Sequence, residues 1–400
     1  MADLPTESDL VPSLLPSLVW LMAITCGLVA ANLYYNQPLL VTIGHTFHIP
    51  DHWASLVATA PQVGYTLGMI LLVPLGDMLE RKRLILCLLI GTVVCLAVCA
   101  GAPSYGVLMA ASLLLGICSA VPQLLLPMAA QLTAESDRGR IIGRIMSGLL
   151  IGILLSRTVS GYVGEQFGWR TVFAGAAGVG LGLTLLLAWK LPASQPTFRG
   201  GYRSLMLSLV TLVRELPQLQ HSALVGGSIF AAFSVFWTTL VFFLESPAYR
   251  YGSTVAGLFG LVGALGALAA PLAGKLADNY GSRAVITVGI CLTLLSYLVL
   301  GLAGLYLTGL IAGIILLDIG VQSAHIANQT LVFSLRPEAR SRLNTVYMTG
   351  YFAGGSLGSV VGGLAWTHGG WNSVCVVGGS LLVLALVLQR SLGNQRPPGV

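Results

Sequence analysis

The sequence predicts an all-α membrane protein of twelve transmembrane helices, built as two pseudo-symmetric bundles of six. Three observations lead there. Apolar residues make up 56% of the 400-residue chain and charged residues only 8%, against roughly 25% charged in an average soluble domain. The apolar residues gather into twelve segments of the ~20 residues needed to cross a bilayer as a helix. The loops of the first six segments are echoed by those of the last six.

Helices one to six are expected near 17–40, 54–75, 84–101, 105–130, 141–163 and 168–190. Helices seven to twelve follow near 221–244, 252–273, 284–303, 305–332, 343–364 and 370–391. Gly-rich runs such as GGSLGSVVGG (354–363) suit close approach of membrane helices. Between the sets lies LPASQPTFRGGYRSLMLSLVTLVRELPQ, whose Pro, Gly and Arg content marks a linker, with 204–216 expected as a short amphipathic helix on the membrane surface. The chain therefore divides into an N-terminal bundle (1–190), a cytoplasmic linker (191–218) and a C-terminal bundle (219–400). The first ten residues, MADLPTESDL, lack the basic start of a cleavable signal, so the first apolar helix is expected to remain as an anchor. The seven cysteines lie in apolar stretches with no C-x-x-C spacing, as small buried hydrophobes do, and no metal site is indicated.

An even number of crossings puts both termini on one side. Seventeen of the twenty Lys and Arg residues fall on that side, Arg170 and Arg250 fall opposite, and Arg157 lies within a span. Under the positive-inside rule the termini are cytoplasmic. The net charge of +6 is thus spent on orientation, since the basic residues stand singly between apolar segments and form no patch for nucleic acid.

The repeat is read from three loop pairs. PLGDMLERKR (74–83) corresponds to GKLADNYGSR (274–283), with Asp77 opposite Asp278; ESDRGR (135–140) corresponds to PEARSR (337–342), and GEQFGW (164–169) to HGGW (368–371). Parallel six-helix repeats are the plan of a large transporter class. GKLADNYGSR resembles the G-x-L-x-D-R-x-G-R signature of the major facilitator superfamily, of which PLGDMLERKR is a degenerate copy. AANLYYNQPLL (30–40), FWTTLVFFLE (236–245) and RSRLNTVYM (340–348) resemble a branch of bacterial drug and sugar efflux carriers. The resemblance implies a major facilitator fold, alternating access, and a central cavity lined by helices one, four, seven and ten. There are departures. Val73 and Glu80 replace the two glycines of the first copy, Ser112 stands where many proton antiporters carry an Arg, and Arg157 falls where the antiporter signature of helix five has Gly-Pro.

An ionisable group at the bilayer centre costs roughly 2.5–3.5 kcal/mol on insertion scales, so it reads as functional by default. Asp318 is the clearest such group, and spacings of 4, 3 and 4 residues place Asp318, Gln322, His325 and Gln329 on one face of helix ten. That stripe is expected to line a wet cavity, with a hydrogen-bonded packing network as the alternative. A carboxyl in a cavity that is alternately dry and wet can bind a proton in one state and release it in the other. The proton-coupling set is therefore Asp318, His325, Arg157 and Glu245, with a structural role, its stem snorkelling to the outer interface, as the equal alternative for Arg157. Asn32, Tyr35 and Asn36 share a face of helix one ahead of Pro38; with Gln123, Trp237, Gln322 and Gln329 they form the substrate-binding set, packing again being the competing account. Asp77, Arg81, Lys82, Asp278, Arg283, Arg340 and Arg342 form a cytoplasmic gate, in which a carboxylate caps a neighbouring helix and pairs with Arg. Topology signalling accounts for some of these basic residues.

No G-x-x-x-x-G-K-[ST] phosphate loop is present, so a nucleotide-driven pump is not indicated. H-E-x-x-H is lacking as well, and the polar stripe has no nucleophile paired with a base, which argues against an enzyme and for a chain without cofactor. The reading is a secondary carrier of a small organic molecule, a proton-coupled antiporter for efflux in the bacterial inner membrane, able to act as a monomer. Uptake by symport and a non-transporting sensor or scaffold are the alternatives. The orientation has a direct check: a single cysteine near Arg203, in a cysteine-free background, should resist an impermeant maleimide added to intact cells and react after permeabilisation. Labelling of intact cells would invert the topology.

Overall fold

The computed structural model describes residues 15–133, 135–194, 201–267, 279–336 and 339–391. Nine helices among them are long and apolar enough to cross a membrane. One of the nine, Arg340–Ser391, is two helices joined at a bend, where Gly370 takes φ 59°, a value only glycine adopts freely. With the shorter apolar helices Pro16–Ala31 and Ser253–Gly263, the crossings number twelve.

Helix one begins at Pro16, ends at Ala31, and resumes after a turn as a 3-10 segment, Gln37–Leu39, and a short helix, Leu40–Phe47. Pro38 sits in that 3-10 turn, where its missing N–H costs no helical bond. Helix two (Asp51–Leu71) opens with Asp51 in its first turn, favourable to the helix dipole. Helix three is Arg81–Ala100. Helix four is Tyr105–Cys118, capped by Ser104, and continues as Pro122–Gln131. Helices five and six, Glu135–Phe167 and Trp169–Lys190, meet at Gly168. The second bundle comprises helix seven (Pro217–Glu245), eight (Ser253–Ala267), nine (Ser282–Ala303), ten (Leu307–Leu335), and eleven and twelve on either side of Gly369 and Gly370.

The segment between the bundles carries the expected amphipathic helix, Tyr202–Glu215, burying Leu205, Leu209 and Leu212. Their spacing of four and three residues makes one apolar stripe. Tyr202 Oη donates to Leu71 O at 3.0 Å, and Arg336 pairs with Glu215 at 2.9 Å, so the helix is tied to both bundles.

Pseudo-symmetry extends to the packing. Helix one meets helix five through Gly27 and Gly152, and helix seven meets helix eleven through Gly227 and Gly354, six helices later in each case. A Cβ at Gly152 or Gly354 would collide with the facing backbone, so both pairs approach as only glycine permits. The bundles touch each other along helices two and eleven and along five and eight, again a matched pair. Gly354→Val should therefore destabilise the protein by about 1–3 kcal/mol, read as a lower midpoint of thermal unfolding in detergent. Gly178→Val should leave the midpoint unchanged, because a Cβ at Gly178 meets nothing within 4 Å.

Candidate functional site

Helix seven runs through the middle of the molecule. Its most apolar stretch is 94% buried, against 17% for that of helix five. Trp237, on its half furthest from the termini, is buried at the junction of the bundles. Helix five of the first bundle brings Arg157 onto it: the guanidinium carbon lies 4.3 Å from the Trp237 ring centre and 4.7 Å from that of Tyr34. Arg157 Nε donates to Gln37 Oε1 at 2.7 Å. Helix ten of the second bundle brings Asp318 to the same place. Gly263 of helix eight makes the room, since a Cβ there would lie 3.0 Å from Trp237 Cζ2 and 3.1 Å from Asp318 Oδ2.

Arg157 and Asp318 are 3% and 5% exposed. They form no direct ion pair among the described residues, yet their charges act on each other. Three buried atoms in this group have no hydrogen-bond partner: Arg157 Nη2, Asp318 Oδ2 and Trp237 Nε1. A buried polar group without a partner costs roughly 1–3 kcal/mol, more if charged. Two opposite charges, an aromatic face and three free polar atoms meeting at a joint between bundles make a place where a proton or a polar substrate group changes the energy of the joint.

The helix-ten stripe does not share one environment. Asp318 faces helices seven and eight, whereas His325 Nδ1 lies 3.0 Å from Tyr347 Oη and Gln329 Nε2 donates to Asn344 Oδ1 at 3.0 Å, both on helix eleven. Gln322 is half-buried and makes no side-chain hydrogen bond among the described residues. The stripe is thus divided between the charge group and the packing of helix ten on eleven. Helix one departs from the expected face for a local reason. Its α-geometry stops at Ala31, so the turn brings Tyr34 and Gln37 to Arg157. Asn36 Nδ2 instead donates to Val57 O of helix two, and Asn32 donates to Ser119 Oγ at 3.4 Å. Asn32 and Tyr35 line a separate cavity inside the first bundle. Gln123 donates to Tyr65 Oη at 3.1 Å, in the cytoplasm-proximal part of helix four on the orientation expected above.

Glu245 stands eight residues beyond Trp237, about 12 Å along the helix at 1.5 Å per residue. Its electrostatic neighbours are Glu165 and Asp51, so it belongs to the bundle end rather than to the Asp318 group. There Glu165 Oε2 accepts from Thr254 N at 2.6 Å and Asp51 Oδ2 from Trp366 Nε1 at 3.1 Å, each across the two bundles. At the other end Asp77 pairs with Arg81 at 2.9 Å. Arg81 also donates to Gly76 O and Gln131 Oε1. This pair lies within the first bundle, and Arg342 and Thr345 of the second bundle share its cleft. Lys82 is half-buried, Arg283 half-buried and Arg340 exposed, with no ion pair recorded for them among the described residues. Asp278 lies outside the described residues.

Tyr34, Gln37 and Gly263 are the site residues that sequence reasoning missed. Pro38 was the available signal for the first two, because it marks where helical spacing fails. The expectation that G-x-S-x-G is lacking is corrected by the run GGSLG at 354–358, but Ser356 is buried in mid-helix and donates to Phe352 O. It lacks the strand-turn-helix setting of a nucleophile elbow.

A twelve-helix, two-bundle membrane protein with charges at its central joint is a transporter architecture. The sequence pattern of the Major Facilitator Superfamily matches residues 22–268 and 222–399, and the chain belongs to that family. It is 42% identical over 374 residues to the uncharacterized transporter YgaY of Escherichia coli O157:H7, covering 93% of this chain and 95% of that protein. It is 34% identical to the probable transporter SCO4007 of Streptomyces coelicolor, covering 91% of this chain and 85% of that protein. A bacterial homologue of the human lysosomal transporter Spinster, solved in an inward-facing and unoccupied conformation, superposes with a TM-score of 0.78 at 15% identity, covering 96% of this chain and 98% of that one. The chain is an integral membrane transporter and not an enzyme.

The two charges should depend on one another. Arg157→Met should destabilise the protein by about 3 kcal/mol, because it leaves a carboxylate buried without its counter-charge. Arg157→Met combined with Asp318→Asn should recover most of that loss in thermal unfolding. Simple additivity of the two substitutions would show that the charges are uncoupled.

Proposed function

We propose that the chain is a proton-coupled exporter of a small organic molecule, working by alternating access in the bacterial inner membrane, with both termini cytoplasmic and the monomer as the working unit. The observation that carries this reading is the Arg157–Asp318 group: one charge from each bundle, buried together, with Nη2 and Oδ2 unpartnered. Protonating Asp318 removes one charge from the joint, and rocking of the bundles changes how much water reaches it. Either event therefore biases the other. The division at residues 191–218, with one bundle on each side, is part of the same proposal.

Direction rests on the likeness of AANLYYNQPLL, FWTTLVFFLE and RSRLNTVYM to efflux carriers. Substrate class rests on the wall between the bundles. Phe230 stacks on Tyr351 at 4.1 Å and Tyr65 meets Phe352 at 4.5 Å, so aromatic faces lie on the cytoplasmic side of a charged end. Such a lining takes an amphipathic molecule, its apolar body against the rings and its polar group toward Trp237, Arg157 and Asp318. Asp77, Arg81 and Arg342 form the cytoplasmic gate of this scheme.

Asp318→Asn preserves shape and fixes the neutral form. In proteoliposomes this variant should lose flux driven by an imposed pH gradient while exchange of substrate at equal concentrations survives. An unaltered response to the gradient would reduce Asp318 to helix packing.

A further inference from the structure

A cavity of about 220 Å³ lies inside the first bundle, between helices one, three, five and six. Its walls are apolar, among them Leu28, Leu89, Leu96, Val172 and Leu183, and no ionisable acid or base lines it apart from the phenol of Tyr35. It opens toward the bundle's outer surface, where the lining residues Val159 and Val179 are each about half exposed and a side chain at Gly175 would meet nothing within 4 Å. In a membrane protein that surface faces lipid.

Four polar side chains interrupt the apolar wall: Asn32, Tyr35, Thr92 and, at its exposed end, Thr171, whose hydroxyl donates to Phe167 O at 2.8 Å. Thr92 is 3% exposed, and its hydroxyl has no hydrogen-bond partner. This is unusual for a helical threonine, which commonly returns its proton to the carbonyl four residues back. Thr25, Thr184 and Thr293 do so at 2.7–2.8 Å. Tyr35, 7% exposed, likewise has no hydrogen bond recorded among the described residues. Thr92 falls at the middle of Arg81–Ala100, and Asn32 at the middle of the crossing from Pro16 to Phe47. At that depth a phospholipid tail brings only methylenes, so lipid filling the cavity leaves the Thr92 hydroxyl unsatisfied.

We propose that this cavity is a second binding site, separate from the Arg157–Asp318 group, for an uncharged, bilayer-soluble ring compound carrying one hydroxyl or carbonyl. An apolar cavity of about 150 Å³ holds benzene, so this one holds a bicyclic body. The absence of charge in its walls excludes ions, and the polar groups at mid-depth select the hydroxylated molecule over the bare hydrocarbon. The site does not depend on direction of transport or on proton coupling.

The test uses the full-length protein in nanodiscs with tritiated 1-naphthol and tritiated naphthalene as probes. Saturable binding of one 1-naphthol per chain is expected, about fivefold tighter than naphthalene, as one net hydrogen bond of ~1 kcal/mol provides. Thr92→Val should bring the two probes within twofold of each other. Ala176→Trp, which fills the cavity, and Val179→Trp, which blocks its exposed rim, should both abolish saturable binding, while Asp318→Asn should retain it. Partitioning without saturation, equal affinity of the two probes, wild-type binding by both tryptophan variants, or loss of binding in Asp318→Asn would each overturn the proposal.

Discussion

Lipid cannot hydrogen-bond a peptide group, and this constraint shapes everything else in the chain. Within the hydrocarbon each backbone N–H and C=O must find its partner in its own helix or in a packed neighbour. The crossings are therefore helical almost throughout, and their interruptions occur where other groups take over. The turn after Ala31 lies against Ser119 and Val57 through the amides of Asn32 and Asn36. Helix four breaks at the same level, around Ser119. The two breaks meet, and at that level the first bundle can present side chains off helical register.

The same constraint makes a buried charge costly, so its position is informative. Arg157 and Asp318 come from different bundles and depend on each other for compensation, with Trp237 offering a π-face to the cation. Bundle-to-bundle contact along helices five and eight leads straight to them: Thr158 Oγ1 donates to Gly257 O at 2.9 Å, and Gly260 lies against the Arg157 side chain. Relative movement of the bundles along this seam must alter the surroundings of both charges. Structure and proposed coupling are thus connected through one helix pair.

The second-bundle polar stripe shows why periodicity alone does not say which side chains meet. Asp318 and His325 are two turns apart on one helix, but helix ten is clasped by different neighbours along its length. At Asp318 it meets helices seven and eight, while further along Tyr347 and Asn344 of helix eleven partner His325 and Gln329 and Asn328 donates to Ser222 O of helix seven. Similar sequence signals thus met a charged partner in one place and neutral hydrogen-bond partners in the other.

Class, crossing number and the six-plus-six repeat were legible in the sequence, because each follows from local facts, apolar run length and matched loops; the cost of a charge in lipid singled out Asp318 and Arg157 as candidates. The tertiary structure decided which residues meet. It brought Tyr34 and Gln37 to Arg157 and turned Asn32 and Asn36 to Ser119 and Val57, because a turn of non-helical backbone ended the 100° register on which the sequence argument relied. It also set Gly263 beside Asp318 and Glu165 and Asp51 near Glu245, since distance between helices depends on packing that no single segment encodes.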